Sequence, residues 1–373
     1  MTSRLDPYLD DLARRIDDDR EAEIDRAWRA FLDDAVDEPC FVPPERPAAA
    51  PGADWPTIPL NDALHDGELM AMRELSRLSG ELAQGGRGVL AVRCNFGVGI
   101  MASQWGCRPI EMPREQEQLP TPAALGSRDA VRKAIGRGTP ALEAGQGGLV
   151  WETAERLARA LDSREPLRRW VGLVHPDGQG PIDTAELVLG SDLFLAFLDE
   201  SDLVNELIEA ITQQYLAFFG RWFELYPQRD ADLGRQPGLR FRGRVMLRED
   251  SLMNISPETY REFGFDADQR ILNAFGGIVH YCGRGEHFIE TVSRLEHLTG
   301  VNLTQPHLND METIYRHTID RGLKLIGLRT SEVERALAED RDLCGRVHCG
   351  DSPAAAVSRP AAKTSPMPRK ASP

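Results

Sequence analysis

The chain has 373 residues, 41% of them hydrophobic and 28% charged, which is the composition of a globular protein with room for one large domain or two ordinary ones. A net charge of −15 leaves no basic excess for phosphates and excludes a general nucleic-acid binder. No apolar run reaches the length of a membrane span, and the acidic start lacks a signal-peptide core, so no membrane role and a cytoplasmic location are expected.

Within residues 4–35, Leu5, Leu9, Leu12 and Ile16, then Ile24, Ala27 and Phe31, recur at helical spacing among charges. They read as one or two amphipathic helices, a cap packed outside a core. Prolines at 43, 44, 47, 51, 56 and 59 make 40–60 a linker or an extended crossing segment. A rhythm then begins. Short apolar runs lie at 89–92, 170–174, 244–247, 278–279, 301–304, 323–326 and around Val347. Helical stretches are expected at 128–136, 149–162 and 201–226, and from Ser256, Asn309 and Ser331. Ser256 suits an N-cap, with Pro257 at the first helical position.

Apolar strands alternating with helices imply a parallel sheet. Seven strands are legible, and an eighth is expected between 100 and 150, where 110–112 reads as a strand. That count favours an α/β (β/α)8 TIM barrel with an N-terminal helical extension over an open doubly wound sheet. No Gly-x-Gly-x-x-Gly follows the first strand, which disfavours a dinucleotide-binding fold. The expected organisation is helices and linker over 1–60, the barrel over 61–350, and a disordered tail over 351–373, where little can be buried.

In such a barrel, chemistry belongs at the carboxyl ends of the strands. The polar residues that end the apolar runs are Cys94 and Asn95, His175 with Asp177 and Gln179, Glu249 and Asp250, His280 and Cys282, Gln305, and His348 with Cys349. His280 and Cys282 are two apart, so on a strand they share a face. Imidazole with thiolate suits zinc. A plainer reading is a strand end with a packed Cys and a hydrogen-bonded His. Adding Cys349 gives a zinc triad with one open position, and only the fold could bring Cys349 to Cys282. Asp250 has the alternative of capping the next helix, and Asp177 and Gln179 that of shaping a Gly/Pro turn. Arg93 and Arg284 suit either an anionic substrate or an acidic neighbour. The six cysteines are irregularly spaced and suggest no disulfide framework.

Three stretches carry a family resemblance: Asp177-Gly178-Gln179-Gly180-Pro181; Asp250 followed by Ile255-Ser256-Pro257-Glu258-Thr259-Tyr260-Arg261-Glu262-Phe263; and His280-Tyr281-Cys282-Gly283. Over roughly residues 85–350 the chain resembles the uroporphyrinogen decarboxylase superfamily, which includes the methylcobalamin:thiol methyltransferases. The Met-Arg-Gln-Ala-Gly-Arg segment of the heme-pathway decarboxylases is missing. His280, Cys282 and Cys349 match the methyltransferase zinc pattern, though the gap before Cys349 is short for that branch.

The resemblance implies methyl transfer involving a zinc-bound thiolate. Asp250, Asp177 and Gln179 would be catalytic, and Asn95, Arg284 and Gln305 would contact a small-molecule substrate. The chain has no Asp-x-His-x-x-Gly motif, so the corrinoid would arrive on a separate protein. Two other readings stand beside it: a metal-free decarboxylase of a porphyrinogen-like polycarboxylate, and a non-catalytic barrel that binds a tetrapyrrole or a partner. A homodimer is compatible with all three.

Overall fold

Strand residues at the centre of the molecule are apolar on both sides, as expected where a parallel sheet is covered on each face. A computed structural model describes residues 5–350; the tail expected over 351–373 lies outside the described residues. Two N-terminal helices, α1 (Asp6–Arg15) and α2 (Asp18–Leu32), come first. Seven parallel strands follow: β1 (Ala91–Arg93), β4 (Gly172–Val174), β7 (Val245–Arg248), β8 (Gly277–Tyr281), β9 (Leu298–Leu303), β10 (Lys324–Leu328) and β11 (Val347–Cys349). β7 to β11 form one five-stranded sheet in chain order, and β1 pairs with β4. A single parallel bridge, Gln179 to Arg248, joins the two groups. The result is a mixed α/β fold around parallel strands.

The eighth strand is not where it was expected. Residues 108–110 and 121–123 form β2 and β3, an antiparallel pair with β2 exposed. The place beside β11 is taken by Phe41, from the proline-rich segment. Its N–H donates to Val347 O at 2.7 Å, and its carbonyl accepts from Cys349 N at 2.9 Å. Prolines around it lack the N–H groups to extend a ladder, so the pairing stops at one bridge. A second antiparallel hairpin, β5 (Leu233–Gln236) and β6 (Leu239–Arg242), turns at Pro237-Gly238, with Gly238 at φ +80°. Pro-Gly is the signature of that turn.

Alternation sorts the strand side chains into two cores. Val245, Leu247, Val279, Val301, Leu325 and Val347 pack outward under the helices. Met246, Ile278 and Ile326 face the other way and pack against Trp28 and Phe31 of α2 and Phe241 of β6. The helix α2 and the β5–β6 hairpin thus close the inner face at the strands' amino ends. The Ser256 cap forms as expected: its side chain accepts from Thr259 N at the start of the helix Pro257–Phe263.

Candidate metal centre

The pairing register lays out a row on the inner face. Arg248 pairs with His280, His280 with Asn302, Asn302 with Ile326, and Ile326 with His348. One step further along lie Asp250, Cys282 and Thr304, just past the strands' carboxyl ends. Asp250, His280 and Cys282 each offer a ligand atom, and these atoms lie within 4.8 Å of one another. His280 Nε2 is 3.6 Å from Cys282 Sγ and 3.8 Å from Asp250 Oδ1.

The neighbours set the chemistry of these atoms. Asn302 donates its amide to Ile326 O at 2.6 Å, which turns its Oδ1 toward His280 Nδ1, also at 2.6 Å. Nδ1 therefore carries the proton and donates, and Nε2 presents its lone pair to the cluster. Burial first, then the Arg248 charge, lower the His280 pKa, so the imidazole stays neutral at neutral pH. Burial raises the Cys282 thiol, against a hydrogen bond donated by Thr304 Oγ1 at 3.1 Å. Asp250 Oδ1 accepts Cys282 N–H at 2.6 Å. The Asp250 backbone is itself held, since Asp183 accepts from Asp250 N at 2.9 Å and from Ser251 N at 2.7 Å. Burial and the Asp250 charge push the Asp183 carboxyl up to about 8. After Cys282 the chain turns away at Gly283, φ +82°, where a Cβ would lie 2.7 Å from Met253 Sδ.

Beside this cluster is a second, fully ionic group. Asp177 is bound by Arg248 Nε at 2.7 Å and by Arg93 Nη1 at 3.2 Å. Burial alone would raise this carboxyl, but the two guanidiniums hold it below its ordinary value. Gln179 donates to Asp177 at 3.2 Å, and Asn95 accepts from Arg93 at 3.0 Å. Asp177, Gln179 and Asn95 thus share one network, and Arg93 has the acidic neighbour that was one of its two readings. Gln305 supports the turn, accepting Gly283 N–H at 2.7 Å. Arg284 stands apart, its side chain 66% exposed and paired with Glu286.

Cys349 is not brought to the cluster. His348 lies in the inner row, so alternation sends Cys349 to the outer face. There it is fully buried in the helix-covered core and hydrogen-bonded with Cys40. It also stands three strands from β8, on the order of 14 Å along the sheet. Asp250 occupies the third place that the sequence reading assigned to Cys349. Arg248, Asn302 and Thr304 were not singled out from sequence. The signal for Arg248 and Thr304 was their position at the end of an apolar run, and for Asn302 it was a polar residue inside one.

No family model and no curated protein sequence matches the chain. Its structure is similar to that of a methyltransferase from Methanosarcina mazei, at TM-score 0.57 and 16% identity, over 88% of this chain and 92% of that one. The two share a fold. At that identity the likeness speaks for architecture alone, and the chemistry rests on the donor set. Thiol, neutral imidazole and carboxylate are a zinc-type set, and three protein donors leave one position open. Among the described residues no helix is long and apolar enough to cross a membrane.

Proposed function

We propose that this chain is a methyltransferase of the methylcobalamin:thiol type, built on a closed (β/α) barrel, with a catalytic zinc on Asp250, His280 and Cys282. The observation that carries the reading is the convergence of those three donors at the strands' carboxyl ends, on a fold shared with a methyltransferase. When bound, zinc acts as a Lewis acid that keeps a substrate thiol ionised near neutral pH. The protein's part is to hold the donors. Asn302 fixes the His280 tautomer, Thr304 donates to the Cys282 sulfur, and Asp183 anchors the turn that carries Asp250. All three donors are half-buried, which leaves the fourth position accessible to a small thiol. The methyl group would come from a corrinoid on a partner protein. A polycarboxylate decarboxylase is less well supported, because Arg93 and Arg248 are already paired with Asp177.

Metal analysis by mass spectrometry, on protein purified without chelator, tests the site. The expected result is about one zinc per chain, lost in His280→Ala and Cys282→Ala and retained in Cys349→Ala. Asn302→Leu should weaken zinc binding about ten- to a hundredfold by freeing the imidazole. Folded wild-type protein without zinc, even after zinc is added, would refute the assignment.

A further inference from the structure

At the opposite end of the strands from Asp250, His280 and Cys282 lies a cavity of about 1120 Å³. Its walls come from α2, the helix Glu165–Trp170, the segment 225–231 and the β5–β6 hairpin. Arg235 marks its depth. Its Nη1 donates to Trp170 O at 2.7 Å and Leu90 O at 3.2 Å, carbonyls that precede β4 and β1. Gly172 makes room for this side chain, since a Cβ there would lie 2.5 Å from Arg235 Cδ.

The charge of this wall is opposite to that of the chain. Among the described residues, Arg168, Arg169, Arg229 and Arg235 line the cavity without a carboxylate at ion-pairing distance. Arg169 and Arg229 instead stand over the Trp170 ring, at 4.7 and 5.8 Å. The wall does hold carboxylates, but Asp25 is taken by Arg29 and Arg240, and Asp230 by Arg29. Asp162 and Glu165 are exposed. Arg240 is only 6% exposed, and its Nε has no partner. Burial first, then the Arg240 charge, push the Arg235 guanidinium down to about 9.

Two carbonyls do not neutralise a guanidinium, and like charges gathered in a cavity oppose folding unless something offsets them. The planar fork of Arg matches phosphate and carboxylate oxygens, and a cavity lined by one sign of charge concentrates its counter-ion. We propose that this cavity binds a small polyanion, a molecule carrying two or more phosphate or carboxylate groups, on Arg235 with Arg168 and Arg229 at its mouth. The site is separate from the metal centre and does not depend on the methyl-transfer reading.

Isothermal titration calorimetry of the full chain at low ionic strength, with inorganic tripolyphosphate and separately with citrate, tests the proposal. Saturable binding of at least one anion is expected. It should weaken at least about tenfold in Arg235→Gln, and by a similar factor in the double variant Arg168→Gln/Arg229→Gln, whose exposed sites do not threaten folding. His280→Ala should bind as wild type does, which separates this site from any capture of metal by the anion. Saturation by tripolyphosphate alone assigns a phosphorylated ligand, by citrate alone a polycarboxylate, and by both a site that reads charge. No saturable binding of either anion overturns the proposal. So does binding that both arginine variants leave unchanged, or that His280→Ala abolishes.

Discussion

His175 illustrates how a polar residue at a strand end serves the scaffold. Its Nδ1–H donates to Pro176 O at 2.8 Å, and its Nε2 accepts from Gln236 at 2.9 Å and Met246 N at 3.2 Å. Phe219 packs edge-on against the ring at 5.1 Å. Burial first, then Arg248, lower its pKa to about 3, against about 6.5 in an unfolded chain. Between those values the unfolded state binds the extra proton. This contribution to stability is therefore complete above about pH 6.5 and is lost as pH falls toward 3, with a slope of up to ~1.4 kcal/mol per pH unit. Urea unfolding from pH 7 to pH 5 should show the loss, and His175→Gln should flatten it. An unchanged slope in the variant would rule out His175 as its source. The same position in sequence, one or two residues past an apolar run, thus hosts a structural histidine at β4 and a ligand candidate at β8. Sequence made Asp250, His280 and Cys282 legible as strand-end polar groups. It did not separate them from His175, because what differs is the partner on the next strand: Gln236 for one, Asn302 for the other. Cys349 was misjudged for a related reason. One step of alternation, invisible without the register of β10 and β11, decides which face it takes.

At the scale of elements, the seven parallel strands were readable because burial on both faces leaves near-continuous apolar runs. The β5–β6 hairpin was overlooked although Pro237-Gly238 marks it. Phe41 was unreadable as a strand neighbour because proline-rich sequence signals a linker. Its role depends on α2. Trp28 is fully buried, edge-on to Phe41 at 5.0 Å and tilted over His348 at 4.5 Å. This aromatic group closes the inner face beneath Ile278 and Ile326. Trp28→Ala should cost about 3–5 kcal/mol in chemical denaturation. Trp28→Phe should cost much less, since the indole N–H is buried without a partner and its loss removes that penalty. Any metal binding by Asp250, His280 and Cys282 should be unchanged in both, because those residues lie at the other end of the strands. Equal losses in the two variants would assign the stability to the indole itself rather than to filled volume.

The whole molecule depends on its first sixty residues in a way their helical, acidic, then proline-rich sequence does not announce. Acidic side chains of α2 and the turn after it neutralise cations of the sheet and hairpin. Asp25 pairs with Arg240, Asp33 with Arg242, and Asp34 with Lys324 at 2.7 Å. Lys324 is only 4% exposed and also lies over the Phe31 ring at 4.7 Å. Further along, Arg46, 3% exposed, is gripped by Glu21, and Phe41 covers the free edge of β11. Removing residues 1–60 would leave the buried cations Lys324 and Arg240 without their carboxylate partners together. It would also bare Met246, Ile278 and Ile326 and leave β11 as an open edge that invites pairing with other chains. A chain starting at residue 61 should therefore accumulate in aggregates on expression, while the full chain stays monodisperse by size-exclusion chromatography. A soluble 61–373 chain that unfolds cooperatively would show instead that the N-terminal segment is an accessory to a self-sufficient α/β fold.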